Sequence, residues 1–227
     1  MVDDERELVA MFARWLEALG CSHVKTASDG ECALELVRKS DFDLLISDIR
    51  MPGIDGVTLV RKIGELGKVI PSIIFVSGFG TVDKREMYGL GVEAFLSKPL
   101  HLEELKAVVE KALADRGALW SRPMEPAPRQ SMVVKITEPL ETKSKKGLRL
   151  GRGGFCAPYS GTLSVGRVAF RCLLEQEQGV VSGHGWVRWR SKDESIAGIE
   201  FSYLDDTCRA WVQAKIAELK PQSFIPE

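Results

Sequence analysis

Three short, mostly apolar runs in the first half of the chain each end in a polar side chain. Residues 42–47 lead to Asp48, residues 73–76 lead to Ser77, and residues 94–97 lead to Lys98. Runs this apolar indicate strands that are buried on both faces, as in a parallel sheet. Because the carboxyl ends of parallel strands meet in one crevice, we expect these three side chains to lie close together.

Helical patterns alternate with these strands, which predicts a doubly wound α/β fold with right-handed crossovers over residues 1–116. The first helical face contains Leu8, Phe12 and Leu16, and a further strand is predicted near His23–Ala27. The remaining predicted helices surround residues 33–37, 57–63, 82–90 and 102–113.

Two more carboxylates, Asp3 and Asp4, stand at the start of the chain. Clustered carboxylates raise one another's pKa unless a cation joins them, and Mg²⁺ prefers hard oxygen ligands. We therefore expect Asp3, Asp4 and Asp48 to bind Mg²⁺, with the backbone carbonyl of Arg50 as a further ligand. A carboxylate such as Asp48 can also act as a nucleophile and become an aspartyl phosphate. Lys98 and Ser77 would then neutralise its phosphoryl oxygens.

These residues and their flanks resemble the receiver domain of two-component response regulators, which has a flavodoxin-like fold. The matching segments are Val2-Asp3-Asp4-Glu5, residues 47–56 (SDIRMPGIDG), Val76-Ser77-Gly78 and residues 95–99 (FLSKP). The resemblance implies that Asp48 accepts a phosphoryl group from a histidine kinase while Asp3 and Asp4 hold Mg²⁺. It further implies that Ser77 and Lys98 sense the phosphoryl group, that Phe95 is the aromatic switch and that the Lys98–Pro99 bond is cis.

The resemblance also implies a signalling role with no enzyme activity of its own. The family forms dimers through one face, which here corresponds to the helix near residues 82–90, the strand at 93–96 and the helix at 102–113. A homodimer through this face and a downstream protein partner are therefore expected.

The sequence departs from the family at its start, where only Met1 and Val2 precede the acidic pair. A receiver has an apolar central strand there. We expect either that the true start lies upstream or that the first strand is nearly absent, which would leave a groove in the core.

Charge divides the chain into two parts. Residues 1–116 contain 15 Lys+Arg and 20 Asp+Glu, a formal charge of −5, and residues 117–227 contain 16 and 12, a formal charge of +4. The second part is too weakly basic to indicate DNA binding. No apolar run reaches the ~20 residues of a membrane span, and no signal peptide is visible. The five cysteines show no metal-binding spacing, so a bacterial cytoplasmic protein with reduced thiols is expected.

A proline-rich linker is predicted at residues 117–130, followed by a β-rich domain at 131–219 and a tail at 220–227. Short strands with glycine turns, a charged loop at 143–146 and a final helix predict a small β-barrel. One strand alternates Trp186, Arg188 and Arg190 with Val187 and Trp189, which predicts one polar and one apolar face.

The order of these segments resembles a PilZ domain, which binds the second messenger cyclic-di-GMP. The matches are residues 186–190 (WVRWR), 197–201 (AGIEF) and 148–155 (LRLGRGGF). The family's ligand positions correspond to Arg149, Gly151 and Gly154, of which only the glycine at 154 agrees. Arg149, Arg152 and Gly154 are the candidate ligand residues, while Arg122 and Arg129 lack the family's spacing for its two upstream arginines.

The sequence leaves three functions open. The first is a response regulator that passes phosphorylation of Asp48 to the PilZ-like module. The second is a protein-interaction scaffold that works without phosphorylation. The third, a haloacid-type phosphotransferase, needs an aspartate two residues after its nucleophile, where this chain has Arg50.

Overall fold

The computed structural model describes residues 1–78, 83–138, 140 and 147–227 of the chain, so the charged loop predicted at 143–146 lies outside the described residues. The chain forms two compact units. The first contains Met1–Val82 and Leu90–Leu113, and the second contains Asp83–Gly89 and Ala114–Glu227.

The helices and strands follow one another along the chain with these bounds: α1 Arg6–Ala18, α2 Gly30–Lys39, β1 Leu44–Asp48, α3 Gly56–Glu65, β2 Ser72–Ser77, α4 Lys84–Gly89, β3 Val92–Ser97, α5 Leu102–Leu113, α6 Arg116–Leu119, β4 Gln130–Ile136, β5 Arg149–Leu150, β6 Gly154–Pro158, β7 Gly166–Leu174, β8 Gly179–Arg190, β9 Ile196–Leu204 and α7 Asp206–Leu219.

The first unit is built on a parallel sheet in the order β1-β2-β3, as the apolar runs predict. Residues of α1 and α5, among them Phe12 and Leu105, share one hydrophobic core with Ile46 and Ile74 of the sheet. Every side chain from Ile73 to Val76 is fully buried. The α/β class and the parallel sheet of the receiver-like unit are confirmed.

The start of the chain takes a place in this sheet through a single residue. Val2 forms parallel bridges to both Ala27 and Ser47. Its amide donates to the Ile46 carbonyl at 2.9 Å, and its carbonyl accepts from the Asp48 amide at 2.9 Å. The strand predicted near His23–Ala27 is wrong, because this segment joins the sheet through an isolated bridge at Ala27. Val2 likewise forms isolated bridges rather than a strand.

A cavity of about 440 Å³ opens beside Met1, where the sequence predicts a groove. Its lining includes the apolar side chains of Leu16, Val24, Phe42 and Leu44. Part of the core of this unit is therefore open to solvent.

Glycine at position 56 lets the β1–α3 loop fold tightly against the end of β1. A Cβ atom on Gly56 would lie 2.3 Å from the Asp48 carbonyl oxygen. The next helix starts there because the Asp55 carboxylate accepts the Thr58 amide at 2.7 Å, an N-cap. These two residues fix the backbone that carries Asp48.

The second unit contains a six-stranded mixed sheet in the order β4-β7-β8-β9-β6-β5, in which β4 is parallel to β7 and the other pairs are antiparallel. Its core contains three mutually packed rings, Phe155, Phe170 and Phe201, with centroids 5.0–5.8 Å apart. The described strand pairs leave β4 and β5 at the two edges of the sheet. Closure into a PilZ-like barrel therefore stays a prediction.

The two-faced strand predicted at residues 186–190 is confirmed as the end of β8, which begins at Gly179. Val187 and Trp189 are buried, whereas Trp186 is 37% exposed. After α7 the chain packs again, since Phe224 and Ile225 are fully buried. Among the described residues, no helix combines the length and the apolar character that a membrane crossing requires.

Candidate functional site

The three strands of the first unit bring the predicted site residues to one edge of the sheet. β1 ends at Asp48, β2 ends at Ser77, and β3 ends at Ser97, directly before Lys98. Ser77 is in register with Ser97, and its carbonyl accepts the Lys98 amide at 2.9 Å. The crevice expected at the carboxyl ends of the strands is therefore present.

Lys98 joins the acidic side chains of this crevice. Its Nζ lies 2.7 Å from Asp48 Oδ2, 2.9 Å from Asp3 Oδ2 and 3.0 Å from Glu5 Oε1. Asp3 is fully buried and Asp48 is 6% exposed. One ammonium group thus balances two buried carboxylates and a third, exposed one, which leaves the site with excess negative charge.

The protonation of these groups follows from burial and pairing. Burial raises the pKa of Asp3 above its usual value, against the hydrogen bonding and attraction of Lys98, and the charge of Asp48 acts in the same direction as burial. For Lys98, burial acts to lower the pKa, but its hydrogen bonds to Asp48, Asp3 and Glu5 together raise it. Lys98 is therefore a firmly held ammonium group at neutral pH.

The carboxylates fit a small divalent cation. Asp3, Asp4 and Asp48 each offer an oxygen, and these atoms lie within 4.8 Å of one another. Asp3 Oδ2 is buried, with the Lys98 ammonium group 2.9 Å away. A buried acceptor of this kind beside the exposed Asp4 suits a hard cation such as Mg²⁺, which keeps part of its water shell.

Arg50 is tied to the site through its backbone. Its amide donates to Asp48 Oδ1 at 3.0 Å. This bond orients the Asp48 carboxylate and leaves Oδ2 to face Lys98. The predicted use of the Arg50 carbonyl as a metal ligand stays a prediction.

The predicted sensing residues lie at the same edge but are less enclosed. Ser77 and Phe95 are both half-buried. The Phe95 ring packs on the buried Phe75 ring with centroids 6.4 Å apart. The Lys98–Pro99 peptide bond is cis, as expected. A switching role for Phe95 stays a prediction.

Glu5 is the site residue to which sequence reasoning assigned no role. Its carboxylate pairs with Lys98, and its amide donates to Asp3 Oδ1 at 3.0 Å. The sequence feature that could have identified Glu5 as a site residue is its position directly after the acidic pair Asp3-Asp4. What the sequence could not show is that the turn into α1 aims this side chain back at Lys98.

The residues predicted to bind cyclic-di-GMP have structural contacts in the second unit. Arg149 pairs with Cys156 across β5 and β6, and Arg152 Nε donates to the Gln222 carbonyl at 3.3 Å. A Cβ atom on Gly154 would lie 2.0 Å from the Ile199 carbonyl oxygen, so this glycine permits close strand pairing. Their ligand role stays a prediction.

A groove of about 540 Å³ elsewhere in the second unit was not predicted. Its lining includes Pro126, Arg129, Arg167 and the exposed Trp186. The guanidinium of Arg188 lies 5.4 Å from the centroid of the Trp186 ring. The groove therefore combines an aromatic surface with arginine side chains, and Arg129 is one of the two upstream arginines noted in the sequence.

Comparisons with known proteins concern the first part of the chain. Residues 1–110 match the family model of the response regulator receiver domain. The transcriptional regulatory protein ZraR of Escherichia coli K12 is 34% identical over 114 residues, which is 50% of this chain and 26% of ZraR. TctD of Salmonella typhimurium LT2, also a transcriptional regulatory protein, is 31% identical over 121 residues, which is 52% of each chain. The match thus spans about half of these relatives or less.

Solved structures show the same partial coverage. The receiver domain of NtrX from Brucella abortus is 28% identical, with a TM-score of 0.45 over 49% of this chain and 94% of that chain. A putative response regulator from Chloroflexus aurantiacus is 32% identical, with a TM-score of 0.45 over 50% and 94%. With the family match over residues 1–110 and the acidic crevice at the strand ends, the N-terminal part of this chain is a response regulator receiver domain of the two-component type.

Proposed function

We propose that the chain is a response regulator in which Asp48 accepts a phosphoryl group from a histidine kinase and relays the signal to its second unit. The observation that carries this proposal is the buried Asp48 carboxylate, whose Oδ2 lies 2.7 Å from Lys98 Nζ beside Asp3 and Asp4. An acid that is oriented, paired with a cation and placed at an anionic pocket suits phosphoryl transfer better than a structural role.

The residues of the site divide the chemistry between them. An Asp48 oxygen attacks the phosphorus atom while the bond from phosphorus to the donor histidine nitrogen breaks, and the electron pair of that bond returns to the imidazole. Lys98 is close enough to pair with an oxygen of the transferred group, and Ser77 stands at the adjacent strand end to donate a hydrogen bond. Mg²⁺ bound by Asp3, Asp4 and Asp48 would neutralise further phosphoryl charge.

Phosphorylation by a small phosphodonor tests this proposal. With Mg²⁺, intact-protein mass spectrometry is expected to show one added phosphoryl group, and the Asp48→Asn protein is expected to show none. Asp55→Asn is the matched control, because Asp55 is a half-buried N-cap in the same loop and asparagine caps equally well.

Labelling that persists in Asp48→Asn would contradict the role of Asp48. Labelling that is unaffected by chelation of Mg²⁺ would contradict the metal site. A chain that takes up no phosphate at all would favour the alternative, a scaffold that works without phosphorylation.

A homodimer and a protein partner remain part of the proposal. The predicted dimer face includes α4, β3 and α5. However, α4 buries Met87 and Tyr88 within the second unit.

Cyclic-di-GMP binding is a second candidate function, and the groove at Trp186 favours it. Its volume of about 540 Å³ lies in the range of small-ligand sites. Guanine bases can stack on tryptophan and on arginine guanidinium planes, and arginines pair with phosphates. Arg129 and Arg167 with Trp186 therefore offer what Arg149 and Arg152 lack, an open aromatic surface beside cations.

Isothermal titration with cyclic-di-GMP distinguishes these sites. If the groove binds the dinucleotide, Trp186→Ala is expected to raise Kd by about tenfold, since base stacking contributes ~1–3 kcal/mol. Arg171→Ala, an exposed arginine outside the groove lining, serves as the control. If Arg149→Ala abolishes binding and Trp186→Ala leaves it unchanged, the ligand binds at the motif predicted from the sequence. The absence of binding heat at high ligand concentration would contradict cyclic-di-GMP binding by this chain.

A further inference from the structure

One row of paired residues crosses four strands of the second sheet. Arg149 of β5 pairs with Cys156 of β6, and Cys156 pairs in turn with Gly198 of β9. Gly198 also pairs with Trp189 of β8. The core residues next to this row in sequence are Leu148, Leu150, Phe155, Ala157, Ala197 and Ile199. Because side chains alternate along a strand, the row lies on the face of the sheet that is turned away from this core.

Three buried N–H donors at this row have no acceptor among the described residues. They are Nε1 of Trp189, Nε of Arg149 and Nε of Arg85, which belongs to α4. Trp189 is 5% exposed, and its Nε1 lies 2.1 Å from the place that a Cβ atom on Gly198 would take. Buried donors nearly always have a partner, so an orphaned group indicates that an ion or a water belongs beside it.

The three donors lie around the side chain of Cys156. The guanidinium of Arg85 is 4.8 Å from the centroid of the Trp189 ring. Burial raises the pKa of the Cys156 thiol, while the charges of Arg149 and Arg85 act to lower it. Both guanidinium groups are therefore within electrostatic reach of the same sulfur atom. A neutral thiol is only a weak acceptor, so Cys156 does not satisfy these donors.

The positive charge of this row also lacks a counter-ion. Among the described residues, neither Arg85 nor Arg149 forms an ion pair with a carboxylate. The buried acid of the same face, Glu200, pairs with Arg188, whose Nε lies 2.5 Å from Glu200 Oε2. Two half-buried guanidinium groups beside an indole N–H favour an anion over a water.

The glycine-rich turn that follows Arg149 is filled by the chain itself. A Cβ atom on Gly153 would lie 1.8 Å from the Phe224 ring, and the Gly153 amide donates to the Phe224 carbonyl at 3.0 Å. The turn therefore offers no room to a ligand while Phe224 is seated. An anion held by Arg149 has its other donors in Arg85 and Trp189.

We propose that Arg85, Arg149 and Trp189 bind a small oxyanion with the size and charge of inorganic phosphate. The two guanidinium groups neutralise its charge, and their Nε–H groups and the indole N–H donate to its oxygens. This site is separate from the acidic crevice of the first unit. It requires neither Mg²⁺ nor phosphorylation of Asp48.

Two-dimensional ¹⁵N–¹H NMR of the full chain, with EDTA present, tests this site. Each of the five tryptophans gives one indole N–H signal, and the spectrum of Trp189→Phe identifies the signal of Trp189. Inorganic phosphate is expected to shift this signal saturably, because the indole N–H gains a charged acceptor. Sodium chloride at equal ionic strength is expected to leave it in place. No response to phosphate, or an equal response to chloride, would overturn the proposal.

Substitution of the arginines tests their assignment to the site. Arg149→Gln and Arg85→Gln are each expected to raise the Kd of phosphate by about tenfold or more, since each removes a charged donor. Arg171→Gln, at an exposed arginine of β7 outside the row, is the control and is expected to keep the wild-type Kd. The other indole signals show whether each variant is folded, and the wild-type titration decides the question if one is not. Wild-type affinity in either folded variant would contradict the site as described.

Discussion

Replacement of Lys98 by methionine is expected to slow phosphorylation of Asp48 by about 100-fold or more. Lys98 is the residue that faces Asp48 Oδ2 at 2.7 Å, and removal of one preorganised charged donor typically costs 10²–10³ in rate. The initial rate of labelling by a small phosphodonor at saturating Mg²⁺ measures the effect. Lys68→Met is a fair comparison, because Lys68 also forms an ion pair, with Asp41, outside the acidic crevice. A loss below about fivefold would show that Lys98 is not needed for transfer.

The same substitution is expected to destabilise the first unit in a pH-dependent way. Without Lys98, the buried Asp3 and Asp48 lose their cation, a change that costs about 3 kcal/mol for a buried pair. Burial already raises the pKa of Asp3, and loss of Lys98 removes a group that lowers it. The folded state therefore binds a proton at Asp3 more readily than the unfolded chain, and the deficit shrinks as the pH falls. Urea titrations at neutral and acid pH measure it, and an equal deficit at both would contradict this explanation.

Phe155→Ala is expected to lower the free energy of unfolding of the second unit by ~3–5 kcal/mol. The Phe155 ring is 1% exposed and packs against Phe170 and Phe201, so its removal leaves a cavity that these neighbours cannot fill. Urea unfolding followed by tryptophan fluorescence reports on this unit, because four of the five tryptophans lie at positions 120, 186, 189 and 211.

Val133→Ala provides the reference for that experiment, since Val133 is 63% exposed on β4, an edge strand of the same sheet. It is expected to change the unfolding free energy by no more than about 0.5 kcal/mol. A Phe155→Ala effect below about 1 kcal/mol would mean that the three-ring cluster is not the centre of the core.

The grouping of the acidic residues with Lys98 could be predicted from the sequence because these residues lie at strand ends. Apolar runs that stop at Asp48, Ser77 and before Lys98 specify a parallel sheet, and a parallel sheet brings its carboxyl ends together. The acidic pair at the start reaches the same edge through the two bridges of Val2, to Ala27 and to Ser47.

Features that depend on long-range packing could not be predicted in this way. The local pattern of residues 23–27 favours a strand, but the segment joins the sheet through an isolated bridge from Ala27 to Val2. Nothing in the periodicity of α4 shows that Tyr88 meets Phe224, since that contact joins residues far apart in sequence. The glycines at 151–154 look like a ligand loop because both a ligand and a packed ring demand the absence of side chains.

The membership of Asp83–Gly89 in the second unit means that sequence boundaries and structural boundaries differ. The chain passes from one unit to the other three times, so a single cut near residue 116 does not separate them cleanly. A chimaera that joins residues 1–116 to a foreign output module would leave Met87 and Tyr88 without their native cover. A chimaera that keeps the native cover of this helix therefore has to carry the helix and the chain end together as a matched pair.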